Sequence, residues 1–325
     1  MFTAPGQAVD ASVVRGKKAM AIPISSQVGQ CQTQAEDFKN IGSKLGMAVS
    51  LFSNPGGPTA WASGIQSAIA QHVDAIALIC GIVPGAVAPQ LQAAKSAGIV
   101  VVDSNYNDAA SYAGLDAETG DNAVAGFKNL VDSAIVNLNG KPLHALLVTS
   151  EAVPQGVPAG QAATAEVNAI CPKTCSVEQN LVPPITSTSS AVQQMVASAL
   201  VAHPSVNAII GFDAYVADEV PAISLAHRTD TKLYAWGASP GVLKLMSSTD
   251  KNIIAAVPGP NPEWSAYQAF DQVIRLLGHN PPAPVAAAVT PDRFWVPANV
   301  DQYFTADAGY GSYAASFLKL WGSSP

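Results

Sequence analysis

The feature that most constrains the fold is an apolar segment, a helical pattern and a second apolar segment, all within residues 18–54. Residues 19–24 read AMAIPI, and the helical pattern after them carries apolar residues at spacings of three and four until Gly46. Residues 48–52 are apolar again. A strand, a helix and a strand within roughly 30 residues form a βαβ unit, and strands without a polar face belong to a parallel sheet covered by helices. The sequence therefore predicts an α/β fold.

A second copy of this plan lies further along the chain. Residues 72–79, HVDAIALI, follow a helical pattern and are echoed by residues 204–211, PSVNAIIG, which also follow one. Both lead into a loop, another helix and another strand, at residues 100–102 and 232–236. We therefore predict two α/β halves built on one plan, although eight residues are a short repeat. A length of 325 residues suits two domains, with one large α/β domain as the alternative.

Charge and composition exclude several classes of partner. The net charge is −7, and the 16 lysines and arginines are scattered, whereas a nucleic-acid surface needs them clustered. No apolar run approaches the roughly 20 residues of a membrane-spanning helix. Residues 1–16 are small, polar and without periodicity, and we expect a mobile leader or linker instead of a signal peptide. That leaves open a cytoplasmic protein or one whose export signal has been removed.

The four cysteines favour disulfides over metal. Cys171 and Cys175 lie in the short segment CPKTC, and we expect a local disulfide, because a CxxxC pair without a second pair is a poor zinc site. Cys31 and Cys80 each come at or just beyond the end of a predicted strand. If those strands are neighbours the two can form a second disulfide, and otherwise they are buried thiols.

The sequence lacks several motifs that mark catalytic and metal sites. It contains no HExxH, Walker or GxGxxG pattern, and its five histidines lack metal-ligand spacing. We therefore predict that the protein is not an enzyme, with no catalytic residue, no metal and no cofactor.

Five short segments in one order carry a resemblance to a known family. They are residues 19–27, 44–46, 73–76, 97–104 and 202–209, with Asp213 beyond the last. Over residues 17–297 the chain resembles the type I periplasmic binding proteins, the ribose- and galactose-type solute receptors of ABC importers. The resemblance implies two Rossmann-like lobes with mainly parallel sheets, hinged by three crossover segments, and a ligand enclosed at the lobe interface. It also implies an extracytoplasmic monomer, periplasmic or lipid-anchored at the cell surface, that delivers its ligand to the membrane subunits of an ABC permease.

The same resemblance gives lobe boundaries. We predict a leader at 1–16, an N-terminal lobe at 17–114 plus 259–285, and a C-terminal lobe at 115–258 plus 286–325. The last of these includes an unusually aromatic tail from Asn299 onward, which we interpret as a packing arm instead of a partner-binding segment.

The family takes its ligand contacts from the loops that follow successive strands. The matching positions here are Ser26, Gln27 and Gln30 in the first loop, Asp103, Asn105 and Tyr106 after the fourth strand, Gln155, Phe212, Asp213 and Trp236 in the second lobe, and Asn261, Glu263 and Trp264 in the last contact loop. The arginine that the family places beside the first aspartate is missing, and the family's arginine-bearing loop corresponds to uncharged residues 155–158. Because so few charges remain, we predict a neutral ligand: a sugar, a sugar derivative or a polyol.

Alternatives stay open at this stage. Asp103 and Asp213 can instead cap helices, Trp236 can close the wall of the cleft, and Trp264 lies on an apolar helical stripe typical of a core. Glu263 can act only on the dipole of its helix. For the whole chain, the alternatives are the ligand-sensing domain of a LacI-type regulator without its DNA-binding part, or a receptor for a small aromatic or cyclic compound that is not a sugar.

Overall fold

The computed structural model describes residues 2–105, 112–184, 186–248 and 253–323, apart from the side chains of residues 306 and 307. The chain forms two compact units. Unit 1 comprises Met1–Asp121, Pro260–Pro291 and Ala306–Pro325, and unit 2 comprises Asn122–Gly259 and Asp292–Thr305. The predicted architecture of two α/β lobes is therefore confirmed.

Unit 1 is built on a parallel sheet. Its strands in the described residues are Lys18–Pro23 (β1), Ala48–Leu51 (β2), Ala75–Ile79 (β3), Val100–Asp103 (β4) and Ala117–Glu118 (β5). Its helices there are Gly29–Lys44 (α1), Pro58–Ala70 (α2), Ala88–Ser96 (α3), Pro262–Leu277 (α9) and Tyr313–Leu320 (α10). The strand order is β2-β1-β3-β4-β5, and β1, β3 and the inner part of β4 are buried, as expected for strands covered on both faces.

The core of unit 1 forms where α1 crosses α9. Phe38 of α1 contacts Phe270 of α9 with ring centroids 5.0 Å apart. Gly42 lies at the closest approach, because a Cβ atom there would be 2.5 Å from Val49 and 3.1 Å from Phe270. The apolar spacing that predicted α1 from the sequence therefore matches the face that α1 buries.

The N-terminal residues belong to this unit, which corrects the prediction of a mobile leader at 1–16. Ala11–Val14 forms a 3₁₀ helix, and Ala11 and Val14 are buried. The Val9 N–H donates to Leu320 O at 3.0 Å, so the segment also bonds to the C-terminal helix. Its few apolar residues were too sparse to show periodicity in the sequence.

The aromatic tail divides between the units, which corrects its assignment to the C-terminal lobe. Tyr313, Phe317 and Trp321 are buried against α9 in unit 1, where Tyr267 stacks on Phe317 and on Trp321 at centroid distances of 5.3 and 5.6 Å. The Trp321 Nε1–H donates to Asp271 at 2.8 Å. The tail is the packing arm that was predicted, but it packs on the other lobe. The chain consequently passes between the units four times, not through three crossover segments.

Unit 2 repeats the plan of unit 1. Its strands in the described residues are His144–Val148 (β6), Ser176–Leu181 (β7), Ala208–Phe212 (β8), Lys232–Trp236 (β9), Ile254–Pro260 (β10) and Asp292–Trp295 (β11). Its helices there are Ala123–Asn137 (α4), Gly156–Ile170 (α5), Ser189–Ala202 (α6), Val216–Leu225 (α7) and Pro240–Ser247 (α8). The strand order is β7-β6-β8-β9-β10 with β11 added beyond β10, so both sheets follow one order. The short echo in the sequence corresponds to β3 and β8, the third strand of each order.

The segment near the second lobe boundary is irregular. It contains a 3₁₀ helix, Val285–Ala287, and an isolated bridge joins Gly120 and Val289. Each lobe boundary falls a few residues later than predicted. None of the described helices is long and apolar enough to cross a bilayer.

Both candidate disulfides are present. The Cα atoms of Cys31 and Cys80 lie 5.7 Å apart and those of Cys171 and Cys175 lie 5.4 Å apart, within the usual range for disulfides. Cys31 and Cys80 can meet because β1 and β3, the strands they follow, are neighbours in the sheet. The alternative of two buried thiols is thereby excluded.

Candidate functional site

The carboxyl edge of the unit 1 sheet gathers polar side chains. At the neighbouring strands β1 and β3 the strand order reverses, and loops leave them toward opposite faces of the sheet. Ligands of open α/β sheets bind at this kind of switch point, beyond the carboxyl ends of the strands. The loops after β1, β3 and β4 therefore form the first candidate region.

Asp103 ends β4 and is the most unusual residue of this region. Its side chain is 0% exposed, and neither carboxylate oxygen has a hydrogen-bond partner. Burial, and then the nearby carboxylate of Glu118, raise the pKa of Asp103 well above its usual value. The backbone amides of Gly81, Ile82 and Ser104 lie near this carboxyl group without meeting the geometry of a hydrogen bond, and they lower its pKa in part. A buried carboxyl group without a partner is costly to the fold and calls for an explanation.

The two residues after Asp103 are fixed by hydrogen bonds. The Ser104 hydroxyl oxygen accepts from Gln34 Nε2 at 2.9 Å and from the Cys80 N–H at 3.1 Å. Asn105 has a φ of +63°, and its N–H donates to Thr119 Oγ1 at 3.2 Å. The Asn105 Oδ1 is buried without a partner. Asp103 and Asn105, one on each side of Ser104, thus present three unpaired oxygens at one strand end.

Tyr106, the third residue predicted to contact a ligand after this strand, lies outside the described residues.

The loop after β1 is the first predicted contact loop, and it holds three residues that were predicted to contact a ligand. Ser26 is half-buried, and its backbone and side chain form a reciprocal pair of hydrogen bonds with the backbone of Asn54, at 2.7 and 3.0 Å. Gln27 is exposed, whereas Gln30 is buried in the first turn of α1, one turn before Gln34. The structure brings these residues to the same sheet edge as Asp103, and ligand contact by them remains a prediction.

In unit 2, Asp213 directly follows β8. It is buried, and its Oδ2 accepts from the Ser239 N–H at 2.6 Å. Burial raises the pKa of Asp213 to about 6, against the lowering effect of the Ser239 bonds. Gln155 lies half-buried at the start of α5, and its carbonyl oxygen accepts from the Ala159 N–H at 2.8 Å. Both residues lie on the loops that follow the neighbouring strands β6 and β8.

Phe212 and Trp236 form an aromatic cluster in unit 2. Their rings meet edge to face at 5.9 Å, and Phe212 also contacts Phe127 of α4 at 4.9 Å. Trp236 is 5% exposed, and its indole lies so close to α4 that a Cβ atom on Gly126 would be 2.1 Å from it. The two rings therefore pack mainly on protein, which reduces the flat surface they offer to a ligand.

Asp292 adds a buried acid beside this cluster. Its Oδ2 lies 3.5 Å from Trp236 Nε1, and its Oδ1 is buried without a partner. Burial raises the pKa of Asp292 to about 6.

The last predicted contact loop serves the fold of unit 1. Trp264 is 4% exposed and stacks on Tyr313 with centroids 4.7 Å apart. Asn261 caps α9 by accepting from the Trp264 N–H at 2.9 Å, and the Tyr313 hydroxyl donates to Glu263 at 2.6 Å. The Trp264 ring is part of the core, which is the alternative that the sequence offered, and ligand contact by Trp264 stays a prediction. The polar atoms of Asn261 and Glu263 hold the C-terminal helix.

Sequence reasoning missed four polar residues of these regions. They are Gln34, Thr119, Ser239 and Asp292. Of these four, only Gln34 could have been recognised in the sequence, because it interrupts the apolar stripe of α1 one turn after Gln30. The other three come close to the predicted residues only through pairing between distant strands. Among the described residues, no group of three His, Cys, Asp or Glu side chains could hold a metal ion.

The fold is similar to those of several solved solute-binding proteins. A sugar ABC transporter protein from Yersinia enterocolitica has a TM-score of 0.79 at 17% identity, with 99% of each chain covered. An ABC transporter solute-binding protein from Agrobacterium vitis with bound allitol has a TM-score of 0.73 at 20% identity, covering 90% of this chain and 99% of that one. A 5-methylthioribose transporter solute-binding protein from Thermotoga lettingae has a TM-score of 0.76 at 15% identity, covering 97% and 95%.

Sequence comparison assigns the family. No curated protein matches the chain. Residues 20–281 match the family described as the periplasmic binding protein domain, which is well over half of the chain. Together with two mostly parallel α/β sheets of one strand order, this match shows that the chain belongs to the periplasmic binding protein family.

Proposed function

We propose that this protein is an extracytoplasmic receptor that captures a neutral, hydroxyl-rich small molecule and delivers it to an ABC permease. The ligand class is a sugar, a sugar derivative or a polyol. Residues at the carboxyl edge of the unit 1 sheet supply contacts.

The state of Asp103 carries this proposal. Burying a polar group without a hydrogen bond typically costs about 1–3 kcal/mol, so a fold retains such a group where a ligand supplies the missing partner. Asp103 has two such oxygens and Asn105 has a third. Ligand hydroxyl groups are donors of the right kind for all three.

The electrostatics of the region favour a neutral ligand. Asp103 has a raised pKa, and the residue after it is Ser104, whose hydroxyl is occupied by Gln34 and Cys80. A protonated carboxyl group can both donate and accept, which suits a hydroxyl group better than a full charge. We favour a hydroxylated ligand over an aromatic one because Phe212 and Trp236 pack on each other.

Several structural neighbours support the ligand class and the partner. Their names give allitol, D-allose and 5-methylthioribose as ligands of those proteins, and all three are neutral and hydroxylated. Other neighbours are described as sugar ABC transporter proteins. We propose that this chain likewise binds a neutral, hydroxylated ligand and works with an ABC permease.

The disulfides support a location outside the cytoplasm. Disulfides persist in oxidising compartments such as the periplasm and the cell surface, and are rare in the cytosol. The family name points to the same location.

The first test is a thermal-shift screen with allitol, D-allose, D-ribose and myo-inositol, with glucuronate, glutamate and phenol as charged and aromatic comparisons. A ligand at a hundred times its Kd stabilises the folded state by about 2.7 kcal/mol. For lobes of this size such a gain raises Tm by about 5–10 °C. A shift with charged or aromatic compounds alone would reject the proposal.

The second test concerns Asp103 itself. We expect D103A to weaken binding of the compound found in the screen at least tenfold, and D103N to weaken it less, because an amide keeps the size and can still hydrogen-bond. The matched control is D230A, at a side chain 73% exposed in unit 2. Equal affinity of D103A and the wild type, measured by isothermal titration calorimetry, would remove Asp103 from the site.

A further inference from the structure

The Cys31–Cys80 disulfide lies beside the polar groups of unit 1. Cys31 is in the first turn of α1, after β1, and Cys80 directly follows β3. The bond therefore joins the two loops that flank the switch point of the sheet. Cys31 is almost fully buried, and Cys80 is half-buried.

The backbone at Cys80 has an uncommon conformation. Its φ is +70°, and Gly81 follows with a φ of +75°. A residue with a side chain is strained in this left-handed region and persists there only where its surroundings enforce it. At Cys80 the enforcing contacts are the disulfide and the hydrogen bond from its N–H to Ser104 Oγ at 3.1 Å.

A second connection runs from α1 to the same serine. Gln34 lies three residues after Cys31 on α1, and its Nε2 donates to Ser104 Oγ at 2.9 Å. The Ser104 hydroxyl thus receives one hydrogen bond from each side of the disulfide. Asp103 and Asn105, which carry the unpaired buried oxygens, are its immediate neighbours in the chain.

We propose that the Cys31–Cys80 disulfide and Gln34 together are the positioning device of this site, holding Ser104 and through it the oxygens of Asp103 and Asn105. The bond fixes Cys80 in its left-handed conformation, and this aims the Cys80 N–H at Ser104. The role as a positioner of ligand contacts rests on the proposed function, whereas the effect on the local backbone does not.

The second disulfide provides a matched control within the same chain. Cys171 and Cys175 are four residues apart, between the end of α5 and the start of β7 in unit 2. Its position is at the amino edge of that sheet, opposite the edge that carries Asp213. Its removal tests the general effect of losing a disulfide.

The decisive measurement is amide hydrogen exchange of the ligand-free protein. In C31A/C80A we expect exchange at positions 80 and 105 to accelerate at least tenfold relative to Ala77, in the middle of β3. In C171A/C175A we expect no change at these positions. Unchanged exchange at 80 and 105, or an equal acceleration at Ala77, would overturn the proposal.

A glycine variant separates positioning from simple cross-linking. Glycine adopts positive φ without the steric cost that alanine has. We therefore expect C31A/C80G to regain part of the protection at position 105 that C31A/C80A loses, whereas a purely cross-linking role predicts equal loss in both. If C31A/C80A does not fold, Q34M, which keeps the disulfide, decides: exchange at position 105 that matches the wild type would refute the proposal.

Binding of D-allose and allitol completes the test. If either binds the wild type, we expect C31A/C80A to bind it at least tenfold more weakly and C171A/C175A to bind it equally well. Equal affinity in C31A/C80A would refute the positioning role. If neither binds, the proposed ligand class loses support, while the exchange data still decide whether the disulfide orders the site.

Discussion

Replacing Glu219 by glutamine should stabilise unit 2, and more so at higher pH. Glu219 lies on α7 with only 1% of its surface exposed, and its Oε1 is buried without a partner. Burial, with the carboxylates of Asp218 and Asp213, raises the pKa of Glu219 to about 8. The folded lobe therefore holds this group in its neutral form over most of the physiological range.

The size of the effect follows from the pKa difference between the folded and unfolded states. On folding, the pKa of Glu219 rises from its usual value of 4.5 to about 8. Each pKa unit corresponds to about 1.4 kcal/mol. Below pH 4.5 both states are protonated and Glu219 carries no penalty. As pH rises from there to about 8, only the unfolded state loses its proton, so stability falls. The upper bound on this loss is about 5 kcal/mol.

The assay is urea unfolding of the wild type and of E219Q at pH 5, 7 and 9, followed by circular dichroism. We expect E219Q to match the wild type within about 1 kcal/mol at pH 5 and to exceed it by at least about 2 kcal/mol at pH 9. The control is E151Q, because Glu151 is an exposed acid of the same unit. A gain that is the same at pH 5 and pH 9 would refute the reasoning.

Three further changes test the packing. G126A should lower the free energy of unfolding by about 2 kcal/mol, since its Cβ would lie 2.1 Å from the Trp236 ring; wild-type stability in chemical denaturation would contradict the contact. D271A should cost about 3–5 kcal/mol by leaving Arg275 buried without its ion-pair partner at 2.7 Å, and an unchanged Tm would show that the pair is dispensable. G42A should lower the free energy of unfolding by about 1–3 kcal/mol, because the added Cβ crowds the crossing of α1 and α9. The urea midpoint measures this loss, and an unchanged midpoint would mean that the two helices move apart without cost.

The alternation of strands and helices could be predicted because each element is determined by residues that are close together in the sequence. The apolar spacing of α1 and the runs of β1 and β2 lie within one stretch of chain, and each element shows its own period. The placement of the C-terminal helix could not be predicted in this way. The aromatic side chains of Tyr313 and Trp321 predict that this segment is buried, but only the folded chain shows that they pack against α9.

The candidate site was predictable where strand position alone decides it. Asp103 and Asp213 follow apolar runs, so the carboxyl-edge rule identifies them without any knowledge of their neighbours. Gln34 escaped because a glutamine inside a helical stripe gives no sign of its acceptor, Ser104, which lies 70 positions along the chain. For a related reason the sequence could not decide between a core position and ligand contact for Trp264: its stacking partner Tyr313 comes from a distant segment.

The discontinuous make-up of unit 1 bears on the order in which the nascent chain can mature. Most of unit 2 is one uninterrupted stretch, whereas unit 1 needs its first residues, the α9 region and the final helix. The first stretch therefore leaves the ribosome long before α9 and α10 exist to cover Phe38 and its neighbours. Completion of this lobe has to wait until α9 and α10 have been synthesised.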